Sequence, residues 1–346
     1  MKQNASAVNS GRNMVEKFWG ETDYPASEHN FYHFPPIRSR SCSLIFGESD
    51  AGRSDWCEYW TVEKYLRDRI PFEKCLSICC GFGRVERTLA KLNVATHIVG
   101  TDIAPKAIEQ AREKAAAEQI ENIDYYVGDL NTDVLPENEY DLIWANGGLH
   151  HIARLDLVVP KLKQALRPNG MLIANEYVGP KYQQLPPRQQ EIANAVKHLL
   201  PRELRDNTNY YRLGKLREYQ QGRSLRARIA GRLVRYCEQL TEYAVPARFG
   251  QIWQMSSVEN FLAYDPSESV GADRVIPELK KNFPRVEVKN YKGSIVLYVL
   301  DRFFYENFDV RNDSHRRLLE TLFTIEDTFI ESGELQSDNA HIICSC

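Results

Sequence analysis

Between about residues 75 and 177, short β-rich runs alternate with segments of helical period. Cys75-Leu76-Ser77-Ile78-Cys79-Cys80 is a continuous run of the kind that a strand covered on both faces requires. Val85, Leu89 and Leu92 then recur at helical spacing. His97 to Asp102 reads as a second strand. Pro105 suits the first turn of a helix that carries Ile108, Ala111 and Ala115 on one face. Ile123 to Val127 and Tyr140 to Ala145 read as the third and fourth strands. Leu155, Val158, Leu162 and Leu166 mark a helix in which Pro160 predicts a kink. Arg167-Pro168-Asn169-Gly170 reads as a turn, and Met171 to Asn175 as a fifth strand. Strands alternating with helices predict a parallel, doubly wound α/β sheet.

From about 180 to 265 the pattern becomes polar and helical in period. After 270 the sheet resumes: a helix over 272–282 leads to Val286-Glu287-Val288, helical patterns run through 295–306 and 313–332, and Ala340 to Cys344 reads as a last strand. The chain of 346 residues, 43% apolar and 26% charged, is long enough for a sizeable core. Its net charge of −3 implies no global affinity for polyanions. Charge is uneven, however: residues 181–248 hold 14 Lys+Arg against 6 Asp+Glu, a local excess of +8 that leaves −11 for the rest. No signal peptide and no membrane span is expected, since nothing approaches about 18 continuous apolar residues. Eight cysteines without a secretion signal predict free thiols and a cytoplasmic location. No metal is expected: Cys344-Ser345-Cys346 is read as a strand end and terminus rather than a clip, and no four-ligand spacing occurs.

The sharpest local chemistry is Cys79-Cys80-Gly81-Phe82-Gly83-Arg84, at a strand-to-helix junction. Glycines there let a ligand approach the backbone, and the helix start offers free N–H groups. Asp102 ends the next strand, placed to accept hydrogen bonds from both hydroxyls of a ribose. A dinucleotide fingerprint would place a third glycine at Glu86, whose charge is expected to repel a pyrophosphate.

The run Leu76 to Gly83 resembles the first motif of class I S-adenosylmethionine-dependent methyltransferases, with Ser77 where an acid is usual and Cys79 where the first glycine is usual. Thr101-Asp102-Ile103 resembles the ribose motif. Val127-Gly128-Asp129-Leu130 resembles the adenine motif, in which Asp129 would accept from the exocyclic amine and Leu130 would pack on the ring. Tyr140 to Asn146 and Leu166 to Met171 resemble the fourth motif and the turn before the fifth strand. The resemblance implies S-adenosylmethionine as cofactor, S-adenosylhomocysteine as product, and a donor site of Cys79, Cys80, Gly81, Gly83, Asp102, Ile103, Gly128, Asp129, Leu130 and Asn146. It also implies a Rossmann-like seven-stranded sheet. The domains expected are an aromatic-rich extension over 1–73 (with Phe18, Trp19, Tyr24, Phe31, Tyr32 and Phe34) packing over the cofactor side, a donor-binding core over 74–179, a helical lid over 180–268, and completion of the sheet over 269–346. Asn175 to Pro180, Asp265-Pro266-Ser267-Glu268, Ile325-Glu326-Asp327 and Ser337-Asp338 resemble a bacterial group of these enzymes associated with surface-glycan or specialised-metabolite pathways.

Acceptor residues are expected where the fourth and fifth strands end. His150 and His151 follow the fourth and have the pKa range of a general base, although a histidine pair also serves to cap a turn. Glu176 and Tyr177 end the fifth. Glu176 has two readings: it orients a hydroxyl or amine, or it holds a histidine. In the lid, Tyr210-Tyr211-Arg212, Arg223, Arg226, Arg228, Arg232 and Arg235 suit an anionic acceptor. The partner expected is therefore a small-molecule, sugar or peptide-derived acceptor, with a homodimer open as an assembly. Asn146 is not followed by a Pro-Pro-aromatic run, and no Pro-Cys pair occurs, which disfavours nucleic acid. No acidic cluster for magnesium follows the fourth strand. RNA or protein methylation, a non-catalytic partner with an altered donor pocket, and a nicotinamide oxidoreductase are the competing readings.

Overall fold

The computed structural model describes residues 31–201, 204, 257–300 and 304–346. The described residues divide into two compact units. The first takes those within Met1–Pro186, Ser256–Ser294 and Phe329–Cys346, and the second those within Pro187–Met255 and Ile295–Thr328.

The first unit is built on seven strands: β1 Phe72–Ile78, β2 Ala95–Asp102, β3 Ile123–Val127, β4 Tyr140–Asn146, β5 Leu166–Tyr177, β6 Arg285–Lys292 and β7 Asn339–Ser345. They lie in the order β3-β2-β1-β4-β5-β7-β6. The first five are parallel, and β7 runs antiparallel to both β5 and β6. This seven-stranded Rossmann-like sheet is the one the resemblance implied.

Its two faces follow the period of two in the strands. Leu76, Ile78, Ile143, Ala145, Leu172, Ala174, Ile342 and Cys344 face one side. There they meet Leu155, Val158 and Leu162 of helix α5 (Leu155–Ala165) and Val275 and Leu279 of α8 (Val275–Asn282). Cys75, Leu142, Trp144, Met171, Ile173 and Ile343 face the other, against Val85 and Leu89 of α3 (Arg84–Lys91). A sheet covered on both faces explains the continuous apolar runs in the sequence. Helix α4 (Pro105–Ala117) buries Ile108, Ala111 and Ala115, as its spacing predicts.

Three elements depart from expectation. β1 ends at Ile78, because Cys79 takes a left-handed φ of 51° and leaves the strand. Leu166 starts β5 instead of completing the α5 face. Arg167 to Gly170 form no separate turn; they are an excursion within β5, between the pairs Tyr140↔Leu166 and Leu142↔Met171, with Asn169 at φ 64°. Helix α5 itself continues through Pro160.

The described part of the extension contributes α1 (Pro35–Phe46) and α2 (Trp56–Thr61). Their aromatic cluster packs on the β6–β7 side: Phe46, Trp56 and Cys57 gather with Tyr291, and Phe46 sets its ring edge-on to His341. Glu58 of α2 pairs with Arg84 at 2.8 Å, next to the glycine turn. Phe18, Trp19 and Tyr24 lie outside the described residues, as do Cys237 and the arginines from Arg212 to Arg235. The seven described cysteines are free thiols.

The second unit contains α6 (Pro187–Leu199), α9 (Val296–Val299), a single turn at Phe304–Asn307 and most of α10 (Asp313–Glu331). Glu326 is buried there and accepts the N–H groups of Ile295 and Val296 at 2.8 and 2.9 Å, which anchors the start of α9. Among the described residues no helix is long and apolar enough to cross a membrane. Helix α7 (Val258–Tyr264) belongs to the first unit and leads into the Asp265–Glu268 run.

Candidate active site

The parallel strands end together, and their registers bring the expected residues to one edge of the sheet. Ile78 stands beside Thr101 and Ala145, Asp102 beside Val127, and Asn146 beside Asn175. Neighbouring strands lie about 4.8 Å apart, so the turns after β1, β2, β3 and β4 form one continuous rim.

After β1 the chain bends through Cys79, Gly81 and Gly83, all at positive φ. Asp102 clamps this turn. Its Oδ2 accepts the Gly81 N–H and its Oδ1 the Ala104 N–H, both at 2.9 Å. Burial pushes the Asp102 carboxyl up, opposed by N–H donation from Ala104, Gly81 and Ile103. A Cβ on Gly81 would meet nothing within 4 Å, so the turn opens onto free space beside Asp102. Gly83 does the opposite. A Cβ there would lie 2.5 Å from the Tyr125 hydroxyl and 2.8 Å from Ala111 Cβ, so glycine is needed for packing as well as for its φ of 73°. Burial raises the Cys79 and Cys80 thiols well above their ordinary value, and Asp102 adds to the effect at both. Both thiols are neutral.

Glu86 does not face the ligand side. It is fully buried and accepts a hydrogen bond from the Ser77 hydroxyl. Its Oε2 has no partner, and burial, partly opposed by Ser77, pushes its carboxyl up to about 7. The expected repulsion of a pyrophosphate by Glu86 is therefore corrected. The side chain fills the helix–strand contact that a third glycine would leave empty.

After β3, Gly128 runs tightly past Thr101 and Asp133, where a Cβ would lie 2.8 and 2.9 Å from side-chain oxygens. Asp129 Oδ1 accepts from the Asn131 backbone and side chain at 2.9 Å. Leu130 is buried in the core cluster beneath this turn. Ile103 is half-buried at the rim. Asn146 Oδ1 accepts from Asn175 Nδ2 at 3.2 Å.

After β4 the chain turns over Gly147 and Gly148 into a short turn at Leu149–His151. Glu176, 1% exposed at the end of β5, organises it. Its Oε1 accepts the Gly148 and Leu149 N–H groups at 2.9 Å. Its Oε2 accepts the His150 N–H at 3.3 Å and His150 Nδ1 at 2.7 Å. Glu176 thus holds a histidine. Tyr177 donates to the Pro180 carbonyl at 3.3 Å and lies edge-on to the His150 ring.

The structure adds residues that sequence reading did not place here. Glu268 brings Oε1 to 3.7 Å from His150 Nε2 and Oε2 to 3.8 Å from His151 Nε2. His151 Nδ1 lies 3.0 Å from Ser267 Oγ, and the Ser267 hydroxyl donates to buried Asp265 at 2.7 Å. Ser269 and Gln183 donate to Glu268. The Asp265–Glu268 run carried only a family likeness. Nothing in its spacing could place it beside a histidine 116 residues away.

Electrostatics separates the two histidines. Burial lowers His150, but the Glu176 bond and the charges of Glu176, Glu268 and Asp265 outweigh it, so its net shift is upward. Burial and the neighbouring His150 lower His151. Burial raises Glu268, but the histidines, Ser269 and Gln183 bring it below its ordinary value. The result is a charged carboxylate facing one basic and one neutral imidazole.

Residues 75–170, from β1 to the excursion in β5, match the methyltransferase domain family model. A 23S rRNA (uracil(1939)-C(5))-methyltransferase of a Shewanella strain is 39% identical over 18% of this chain and 14% of its own length. A phosphoethanolamine N-methyltransferase of Triticum aestivum is 27% identical over 32% of this chain and 22% of its own. The chain thus spans less than a quarter of either curated relative. A solved S-adenosylmethionine-dependent methyltransferase of Mesorhizobium loti superposes on 37% of this chain and 57% of its own, at 26% identity and a TM-score of 0.30. With the matched segment lying on the glycine turn, the Asp102 clamp and the rim, this chain carries a class I S-adenosylmethionine-dependent methyltransferase domain.

Proposed function

We propose that this chain transfers the methyl group of S-adenosylmethionine to an oxygen or nitrogen atom of a small-molecule, sugar or peptide-derived acceptor. One observation carries the reading: the histidine turn adjoins the donor turn. A Cβ on Gly148 would lie 2.7 Å from Cys79 Cβ, so His150 and His151 stand within a few residues of the methyl donor's place. The donor fits the residues present, since Gly81 opens onto space beside the Asp102 carboxylate. When bound, it supplies a methyl on a sulfonium.

This chain's own residues supply placement and proton control. The rim from Cys79 to Gly83, with Asp102, Ile103, Gly128, Asp129, Leu130 and Asn146, holds the donor. Glu176 and Tyr177 fix His150, while His150, His151 and Glu268 prepare the acceptor. In-line transfer depends on orientation, which is worth effective molarities of about 10⁵–10⁸ M. The relatives' names point to an rRNA uracil and to phosphoethanolamine, so what those names share is methyl transfer and not the acceptor. The excess of +8 over residues 181–248 supports an anionic acceptor.

Calorimetric titration with S-adenosylmethionine, S-adenosylhomocysteine and NADH tests the reading. Both adenosyl ligands should bind and NADH should not. Asp102→Ala should abolish binding, and Asp102→Asn, which keeps one acceptor for the turn, should weaken it. A folded wild-type protein that binds neither adenosyl ligand would overturn the proposal.

A further inference from the structure

Two imidazoles and one carboxylate converge on a single point beside the donor turn. The hydrogen bonding on the far side of each ring fixes which nitrogen faces it. His150 donates from Nδ1 to Glu176. The Ser267 hydroxyl gives its proton to Asp265, so its oxygen accepts from His151 Nδ1. Both Nε2 atoms are thereby turned toward Glu268, and the three groups offer ligand atoms that all lie within 4.8 Å of one another.

The separations of 3.7 and 3.8 Å between Nε2 and carboxylate oxygen are too long for direct hydrogen bonds. A water bridging at about 2.8 Å and a tetrahedral angle would hold its partners about 4.6 Å apart. A metal ion at about 2.1 Å would hold them about 3.0–3.4 Å apart. The two Nε2-to-carboxylate spacings lie nearer the second than the first. Around the point stand three carboxylates, those of Glu176, Asp265 and Glu268, of which the first two are buried. The ion pairs of Glu268 among the described residues are both with these histidines. Carboxylate and hydroxyl groups holding the outer nitrogens of histidines are the usual support of a metal site.

We infer that His150 Nε2, His151 Nε2 and the Glu268 carboxylate bind one first-row divalent transition-metal ion, with positions left open for an acceptor oxygen. Two nitrogens and one carboxylate suit Zn²⁺, Co²⁺, Mn²⁺ or Fe²⁺ better than Mg²⁺ or Ca²⁺, which take oxygen ligands. The inference deepens the methyl-transfer reading and rests on it for its chemistry: the acceptor class is then a hydroxyl compound. Its O–H binds the ion, the ion's charge favours loss of the proton to solvent, and the resulting oxygen attacks the methyl carbon. The O–CH₃ bond forms as the S–CH₃ bond breaks. The sulfonium becomes a neutral thioether, and no electron transfer is involved.

The test uses the full chain stripped with a chelator and titrated with Zn²⁺ or Mg²⁺ by calorimetry, and with Co²⁺ by visible absorption. One equivalent of Zn²⁺ should bind, Mg²⁺ should not, and Co²⁺ should give d–d bands of a nitrogen–oxygen site. His151→Asn and Glu268→Gln should each weaken Zn²⁺ at least about 100-fold, Ser267→Ala about 10–100-fold, and Cys346→Ser should change nothing. S-adenosylmethionine titration of the same variants checks folding and reads the donor site separately. Donor binding that fails while Zn²⁺ binding holds would sink the methyl-transfer reading and keep the metal site. No Zn²⁺ binding by the wild type, or equal binding by His151→Asn and Glu268→Gln, would overturn the inference.

Discussion

Glu176 is the residue on which the acceptor side of the rim hangs, and its replacement has a calculable cost. In Glu176→Gln the amide oxygen can still accept from Gly148 and Leu149, which now donate to Oε1 at 2.9 Å. The amide nitrogen then replaces Oε2, facing the His150 N–H at 3.3 Å and Nδ1 at 2.7 Å. One backbone donor loses its acceptor, at about 1–3 kcal/mol, and a charge-assisted bond worth about 1.5–3 kcal/mol becomes an ordinary one. The expected loss is about 2–4 kcal/mol. Glu176→Ala, which orphans all three N–H groups, should cost about 3–5 kcal/mol.

The pH dependence gives a second reading of the same bond. His150 is raised in the folded protein, where burial is outweighed by Glu176, Glu268 and Asp265. Its stabilisation is therefore fully present below the unfolded value of about 6.5, and is lost as pH rises through the higher folded value. Urea unfolding of wild type should show this decline above about pH 6.5, and Glu176→Gln should flatten it. The assay is the unfolding midpoint at unchanged m-value, from pH 5.5 to 8.5. A Glu176→Gln protein within about 0.5 kcal/mol of wild type, with the same pH slope, would refute the assignment of Glu176 as the anchor of this turn.

Other residues make separate claims. Gly83→Ala places a Cβ 2.5 Å from the Tyr125 hydroxyl in a left-handed backbone, and should destabilise by about 2–4 kcal/mol, with partial rescue by Tyr125→Phe in denaturant titrations. Burial, partly opposed by Ser77, raises the Glu86 carboxyl to about 7, so the folded state holds a proton that the unfolded chain releases near 4.3. Wild-type stability should fall as pH rises between those values. Glu86→Gln should remove the fall and gain on the order of 3 kcal/mol at pH 8; an unchanged pH profile would contradict the buried carboxyl. Arg226→Glu with Arg228→Glu, at positions outside the described residues, should raise acceptor KM and leave the donor Kd alone, and an unchanged KM would remove the case for an anionic acceptor.

The strands could be read from sequence because a sheet buried on both faces must be apolar throughout, and β2 to β4 fall within two residues of their expected bounds. Local pattern failed where pairing decides. Arg167-Pro168-Asn169-Gly170 has the composition of a turn, yet Leu166 pairs with Tyr140 and keeps the segment in the sheet. The insertion of β7 between β5 and β6 is a matter of strand partners, which no periodicity encodes. The same divide runs through the site. His150, His151 and Glu176 were visible because ligands gather at the carboxyl ends of parallel strands. Glu268, Ser267 and Asp265 were not, because they reach the rim from a segment more than a hundred residues away.

The two departures from the first motif, Ser77 and Cys79, bear on whether the donor pocket has decayed. Ser77 carries no carboxylate, and its hydroxyl donates instead to the buried Glu86 in the first turn of α3, which fills the space beside it. Cys79 has gained a Cβ where the motif places glycine, and it keeps the left-handed φ of 51°. The room for that Cβ comes from Gly148, whose own Cβ would lie 2.7 Å from it. A side chain added on one strand's turn is thus matched by one removed on the next. Both positions are compensated by residues that contact them directly. That pairing keeps the donor turn packed, and it makes a further demand: Gly148→Ala should impair donor binding in the wild-type background and do less harm when combined with Cys79→Gly.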